Sequence, residues 1–364
     1  MARPRPTTLV TGGNGFVGAT IISTLLSERH NHKVVLAVRN TSSAEALIAA
    51  HPEWPSQAIV IHAVPDFTVH GAFDKVFLDH DEIQYIIHVA APLLDDPRNT
   101  DFVQHFEKPS VLGNVGLLTS AKRYGRNVKA ISVTGSINAI TLGGQDDVKK
   151  RILGNDEWLP LEREDAIKAQ NNYFIISSTT HTVCYAFQIS YCVGKKLAEK
   201  ALWRFVEHEQ PHFTVTNFMP PLIFGPMEQN VSSVDKINFS NSQIRAIMNS
   251  AMSEDGKVPT TMFPAYIDVR DLAELQIRAL TNPKAGNRRF VVGFPMFFND
   301  FADAMRRAAM PGLEGRIGEN NNDPEKLTPP RFYTSDIDSV FGFEFRTLHE
   351  TAVDTAARIL ELEA

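Results

Sequence analysis

Tyr191 and Lys195 stand four residues apart in YCVGKKLAEKALW, and of the seven tyrosines only Tyr191 has a lysine at that spacing. The run has helical character, so the two side chains stack on one face. A phenol with its ordinary pKa of about 10 exchanges protons poorly at neutral pH. A neighbouring ammonium favours the phenolate and lowers that value. The pair therefore reads as a tuned acid/base, with Lys195 expected to bring the Tyr191 pKa down. A plain solvated helix can carry the same two residues, so their surroundings decide what they do.

A second chemical signal lies at the start of the chain. Thr11-Gly12-Gly13-Asn14-Gly15-Phe16-Val17-Gly18 follows a short apolar run and opens a helix-like one. A turn of this kind needs residues without Cβ, for positive φ and for close approach to a ligand. The helix start then offers free N–H groups and a positive dipole end to a pyrophosphate. Gly12, Gly15 and Gly18 follow a GxxGxxG spacing, and Asn14, Phe16 and Val17 complete the candidate turn. About 20 residues past such glycines an NAD site usually carries Asp or Glu for the ribose hydroxyl. Here that place reads Ala37-Val38-Arg39-Asn40, without an acid. The Arg39 guanidinium suits a 2′-phosphate in charge and fork geometry, which points to NADPH.

The elements that must position these residues alternate. Short apolar runs at Thr8–Thr11, Lys33–Val38, Ala58–Ala63, Tyr85–Val89, Val128–Val133 and Phe213–Phe218 read as strands. Helix-like stretches fall at Phe16–Ser27, Ala44–Ala50, Ser110–Tyr124 and from Tyr191 to about Glu209. Apolar runs this short suit parallel strands buried on both faces, and the alternation predicts a doubly wound α/β sheet. Residues 140–190 read as a long irregular stretch, Ile267–Leu280 as a helix returning to the first lobe, Asn320–Pro330 as a surface loop, and Thr347–Leu362 as a closing amphipathic helix.

Composition narrows the function classes. At 364 residues, 43% hydrophobic and 21% charged, the chain is an ordinary soluble type with room for a two-lobed unit. Its net charge of -6 is spread without a Lys/Arg block, which argues against a nucleic-acid or membrane-surface partner. Two cysteines, Cys184 and Cys192, support neither a disulfide framework nor a zinc site. No HExxH or clustered His/Asp/Glu spacing suggests a metal, and His88 reads as a buried, hydrogen-bonded histidine. The N-terminus lacks an apolar signal core, and no apolar run spans a bilayer, so a cytoplasmic location is the expectation.

Taken in order, TGGNGFVG (11–18), AVRN (37–40), PDF (65–67), HVAAP (88–92), SVTGS (132–136), YCVGKKLAEKALW (191–203), PPLIFGP (220–226) and YIDVRDLA (266–273) resemble an extended short-chain dehydrogenase/reductase. Within it the likeness is to the plant dihydroflavonol reductase and yeast methylglyoxal/aldehyde reductase branch. The resemblance implies a Rossmann-type lobe over 1–220 and a smaller mixed α/β substrate lobe over 221–364. It implies Tyr191 as catalytic acid, Lys195 as its partner on the nicotinamide ribose, and Ser136 as donor to the substrate carbonyl. Asp66 and Phe67 would flank the adenine, Ala90 and Pro92 would line the cofactor path, and Pro220 would lie near the nicotinamide. Ile137, Asn138, Pro221, Phe224 and Met227 are expected around the substrate.

Three positions depart from the family pattern: Gly135 and Gly194 replace serines, and Met219 replaces an asparagine. Ser136 could also bond only its own turn. The expected reaction is reduction of a small aldehyde or ketone by NADPH, in a monomer or homodimer. Rival readings are epimerisation or dehydration of a nucleotide sugar, and a sensor that holds NADP(H) without turnover.

Overall fold

The computed structural model describes residues 5–90, 101–143, 152–175, 180–333 and 335–364, with side chains except at 171–185 and 335. Seven strands form the main sheet: β1 Thr7–Thr11, β2 Lys33–Val38, β3 Ile59–Ala63, β4 Ile83–His88, β5 Ala130–Thr134, β6 Thr214–Met219 and β7 Arg288–Val291. Their spatial order is β7-β6-β5-β4-β1-β2-β3, and every neighbouring pair is parallel. The winding reverses between β1 and β4, and a doubly wound sheet opens its crevice at that point, beyond the carboxyl ends of the strands.

Helices cover both faces, which is why the strands read as unbroken apolar runs. On one face α1 (Phe16–Leu26) and α6 (Val269–Ala279) pack Ile21, Ile22, Leu25, Ala273 and Ile277 against Val10, Val34 and Leu36. On the other, α3 (Lys108–Tyr124) and α5 (Thr180–Glu209) pack Leu117, Leu118, Leu202 and Phe205 against Leu9, Val35 and Ile131. Successive residues of one strand thus feed opposite cores. Helix α2 (Thr41–Ala49) follows β2 and is capped by Asn40, whose Oδ1 accepts Ser42 N–H at 2.9 Å.

The second lobe is built on a three-stranded sheet of Leu222–Phe224, Ala265–Asp268 and Phe294–Pro295. The helices Phe239–Met248, Phe298–Arg307 and Leu348–Glu363 pack around it through Ile244, Phe301, Met305, Ala352 and Ile359. No helix among the described residues is long and apolar enough to cross a membrane.

Several stretches differ from their sequence reading. The irregular region expected at 140–190 contains α4 (Arg163–Ile175), and α5 begins at Thr180, well before Tyr191. Residues 180–190 include neither Gly nor Pro, so nothing in them stops a helix. β7 escaped notice because RRFV opens with two arginines. Asn320–Pro330 is mostly exposed, as expected of a surface segment, but it holds the short helix Asp323–Lys326 and is pinned from within. Asn321 donates to the carbonyls of Val258 and Pro259, and Asp323 is buried as acceptor for Thr261 N–H.

The arginines of β7 are paired. Arg289 forks onto Glu199 of α5 at 2.8 and 2.9 Å, donates to the carbonyls of Asn155 and Glu157, and lies 3.9 Å from the centre of the Trp158 ring. Asn155 Oδ1 in turn accepts Val291 N–H at 2.9 Å, which covers an otherwise open sheet edge. Both members of the ion pair are largely buried, at 11% and 4% side-chain exposure. Removing one partner of such a pair typically costs about 3–5 kcal/mol. Arg289→Ala should therefore lower the urea unfolding free energy by about that much. A change below 1 kcal/mol, on the order of an exposed ion pair, would show that the pair is not shielded from water.

Candidate active site

The glycine turn sits at the reversal point of the sheet. Gly12 has φ +70°, and a Cβ there would lie 2.8 Å from Ala90 N, so β1 and the end of β4 can approach only with glycine at this position. A Cβ on Gly18 would meet Gly12 O at 2.3 Å, which seats α1 against the turn. Gly13, outside the spacing read from the sequence, is as confined, with Leu36 Cδ1 2.4 Å from a built Cβ. Gly15 is the exposed N-cap of α1 and supplies no side-chain cap, so the first N–H groups of the helix, at Phe16 and Val17, face outward unpaired by side chains. Asn14 Nδ2 donates to Ser43 Oγ at 3.0 Å and ties the turn to α2.

Arg39 follows β2, is exposed, and has no side-chain partner among the described residues. With the amino end of α2 beside it, this corner presents positive potential. Asp66 is exposed, and its hydrogen bonds from Thr68 hold its pKa below the usual carboxylate range. Phe67 packs on Phe73, ring centres 5.2 Å apart. Ala90 N donates to Thr11 Oγ1 at 3.3 Å. Pro92 lies outside the described residues.

Ser136, Tyr191 and Lys195 converge. Ser136 lies just past the end of β5, while Tyr191 and Lys195 ride on α5, with Lys195 Nζ 5.6 Å from the centre of the Tyr191 ring. The Ser136 hydroxyl caps the turn Ile137–Ala139, accepting Asn138 N–H at 3.2 Å, and it also interacts with Tyr191, drawing its pKa down. Bonding its own turn and facing the tyrosine are therefore compatible.

The electrostatics differ from the expectation of a phenol lowered by its lysine. Burial, aided by the neighbouring Cys192, pushes Tyr191 up to about 12. Burial also brings Lys195 down to about 8. Desolvation disfavours charge on both groups and outweighs the attraction between them. Tyr191 is thus a neutral phenol at physiological pH, suited to give a proton rather than to take one.

The expected substrate contacts separate into two groups. Asn138 and Pro221 are half-buried beside this centre, whereas Phe224 and Met227 lie in the core of the second lobe at 0% and 3% exposure, Phe224 against Phe301. Their apolar side chains fill that core, so they do not line an open wall. Ile137 is also buried, packed with Ile140, Leu153, Met219 and Val291. Pro220 is buried, and its carbonyl accepts Ile137 N–H at 3.0 Å.

The three departures have spatial reasons. A Cβ on Gly135 would come within 2.8 Å of the Asn217 amide, and one on Gly194 within 3.3 Å of Phe106 Cβ. Met219 lends its sulfur to Arg289 at 3.1 Å. His88 is buried with Nδ1 2.7 Å from Thr11 Oγ1, and burial lowers it to about 4, so it is neutral. Asn114, which no sequence pattern singles out, neighbours His88 and donates to Ala198 O of α5 at 3.3 Å. Among the described residues no cluster of His, Cys, Asp and Glu could hold a metal.

Comparison with known proteins agrees with this geometry. Residues 8–150 match the NAD dependent epimerase/dehydratase family. The chain is 30% identical over 365 residues to an uncharacterized oxidoreductase of Saccharomyces cerevisiae, covering 98% of both chains. It is 29% identical over 364 residues to the NADPH-dependent methylglyoxal reductase of the same yeast, covering 97% of this chain and 98% of the relative. The solved structure of yeast methylglyoxal/isovaleraldehyde reductase complexed with NADPH superposes with a TM-score of 0.78 at 27% identity, over 98% of this chain and 99% of that one.

The depressed Lys195 pKa has a consequence for stability. Between about 8 and the ordinary 10.5 the unfolded chain binds a proton that the folded chain does not, so this group adds stability as pH rises through that window. Lys195→Met removes the effect. The variant should be more stable than wild type at neutral pH, with the gap narrowing as pH rises from about 8 towards 10.5. Urea midpoints across that range measure it; a gap that does not change with pH refutes the lowered Lys195 pKa.

Proposed function

The chain belongs to the extended short-chain dehydrogenase/reductase family, and on that premise we propose that it reduces an aldehyde or ketone to the alcohol with NADPH. The observation that carries this reading is the meeting of Ser136 from the end of β5 with Tyr191 and Lys195 from α5, at the carboxyl edge of the sheet.

The residues present fit the cofactor. The cradle of Gly12, Gly15 and Gly18 with the amino end of α1 would hold the pyrophosphate, and Asn14, Phe16 and Val17 complete it. Arg39, unpartnered and beside the capped start of α2, would take the 2′-phosphate. Asp66 and Phe67 would flank the adenine, Ala90 would line the path to the nicotinamide, and Pro220 would lie near it. Bound NADPH supplies the hydride that reaches the carbonyl carbon.

The protein's own part is proton supply and charge stabilisation. Negative charge develops on the former carbonyl oxygen. Tyr191, held neutral by burial, donates its phenolic proton to that oxygen. Ser136 donates a hydrogen bond to the same atom and steadies the charge before the proton arrives. Lys195, one helical turn on, would bond the nicotinamide ribose and offset the phenolate left on Tyr191. Because its pKa is about 8, its charge is available at neutral pH and fades above it.

The rivals have less support. Dehydration of a nucleotide sugar calls for carboxylates after the active-site serine, and here the sequence continues Ile137-Asn138-Ala139. A sensor without turnover has no need of both Tyr191 and Lys195.

NADPH oxidation measured over a panel of aldehydes, α-keto esters, diketones and aryl ketones tests the reading, with NADPH preferred to NADH. Arg39→Ala should weaken NADPH by about 10- to 150-fold while sparing NADH, the range of one charge-assisted hydrogen bond. Equal affinity of the wild type for both cofactors contradicts the phosphate assignment. Tyr191→Phe keeps the ring and deletes the proton, so kcat should fall about 10²–10⁴-fold with NADPH affinity little changed. Turnover close to wild type would mean that another group is the acid.

A further inference from the structure

We propose that Asn138 is a positioning residue that ties the Ser136 hydroxyl to the helix carrying Tyr191; this rests on the reduction proposed above.

Ser136 and Tyr191 belong to different elements, the end of β5 and the middle of α5, and their separation depends on whatever joins the two. The Asn138 side chain spans that gap. Its Oδ1 accepts the Ser136 hydroxyl hydrogen at 3.1 Å, and its backbone N–H donates to the same Ser136 oxygen at 3.2 Å. Its Nδ2 donates to Cys192 Sγ at 3.2 Å, in the residue that follows Tyr191, and to Thr141 O at 3.4 Å. Cys192 is fully buried, so the far end of the bridge is fixed in the core.

A serine side chain has three staggered positions. Two hydrogen bonds from one neighbour, one to the oxygen and one from its hydrogen, select one of them. The hydrogen rests on Asn138 Oδ1. When substrate arrives, it can swing to the carbonyl oxygen while the Ser136 oxygen stays held by Asn138 N–H. The donor is therefore delivered by rotation of a hydrogen about a fixed oxygen, with no heavy-atom movement. This reading takes Asn138 out of the set of direct substrate contacts and gives it a reason to be half-buried with both ends of its amide engaged.

A double-mutant cycle on the NADPH-loaded enzyme tests it, using a carbonyl compound that the wild type turns over. Asn138→Ala should lower kcat by about 2- to 12-fold, the range of one neutral hydrogen bond, with the NADPH Kd unchanged. Ser136→Ala should cost about 10²–10³-fold, as for loss of an oxyanion donor. In the Ser136→Ala background, Asn138→Ala should cost less than about twofold, since residues acting as one unit are not additive. A full additive loss overturns the proposal and leaves Asn138 a packing residue. If Ser136→Ala itself runs at the wild-type rate, the reaction assignment to Ser136 fails, and the bridge with it. Should Asn138→Ala not fold, Asn138→Asp keeps the shape and the acceptor but cannot donate to Cys192. Its loss of kcat should likewise vanish in the Ser136→Ala background, and wild-type activity of that variant also overturns the proposal.

Discussion

The reacting groups depend on how α5 is held, by apolar packing along its length and by one buried ion pair. Tyr191, Lys195 and Glu199 recur at four-residue spacing and form one stripe along the helix. The upper two groups face the crevice. The third is locked to Arg289 on the outermost strand of the sheet, with Trp158 over the guanidinium. Any tilt of α5 would break that fork in a place where water cannot compensate. The strand that supplies Arg289 is itself sealed by Asn155, so residues 155–158 serve as a brace between this strand and the helix. Their contribution to the site is rigidity delivered from a distance.

Much of this was legible in the sequence. The glycine turn, the apolar strands and the Tyr–Lys spacing all follow rules local to a few residues, and each recovered strand lies close to its expected bounds. What was not legible depended on partners far along the chain. Arg288 and Arg289 look unlike a buried strand until Glu199 and Asp336 are brought to them. Phe224 and Met227 sit beside a motif that suggested the pocket, yet the helices that enclose them come from residues 239–248, 298–307 and 348–363. The start of α5 was hidden because residues 180–190 mix polar and apolar side chains without a breaking signal among them. Asn321 and Asp323 look like loop residues because the backbone groups they satisfy come from another segment.

The protonation states show the same limit. Spacing alone says that a cation lies near a phenol and predicts a lowered pKa. Depth decides otherwise, because removing water penalises both the phenolate and the ammonium, and the two shift towards their neutral forms. The arrangement keeps a proton on Tyr191 and holds the lysine close to its own titration point. An anionic ligand beside Lys195 would raise its pKa and extend the ammonium to higher pH, so the state of the pair depends on what occupies the crevice.

The glycines at 135 and 194 carry an implication for redesign. Each stands where the family pattern read from the sequence has serine, and a variant library built on that pattern would include both. At 135 the space for a Cβ is already taken by the Asn217 amide, and at 194 Phe106 would have to give way by a few tenths of an ångström. The favoured residue of the family is therefore a poor guide here unless its neighbour is exchanged in the same step. Sequence identity at these positions is a property of residue pairs, and a route between this chain and its relatives must change both members together or pass through a strained intermediate.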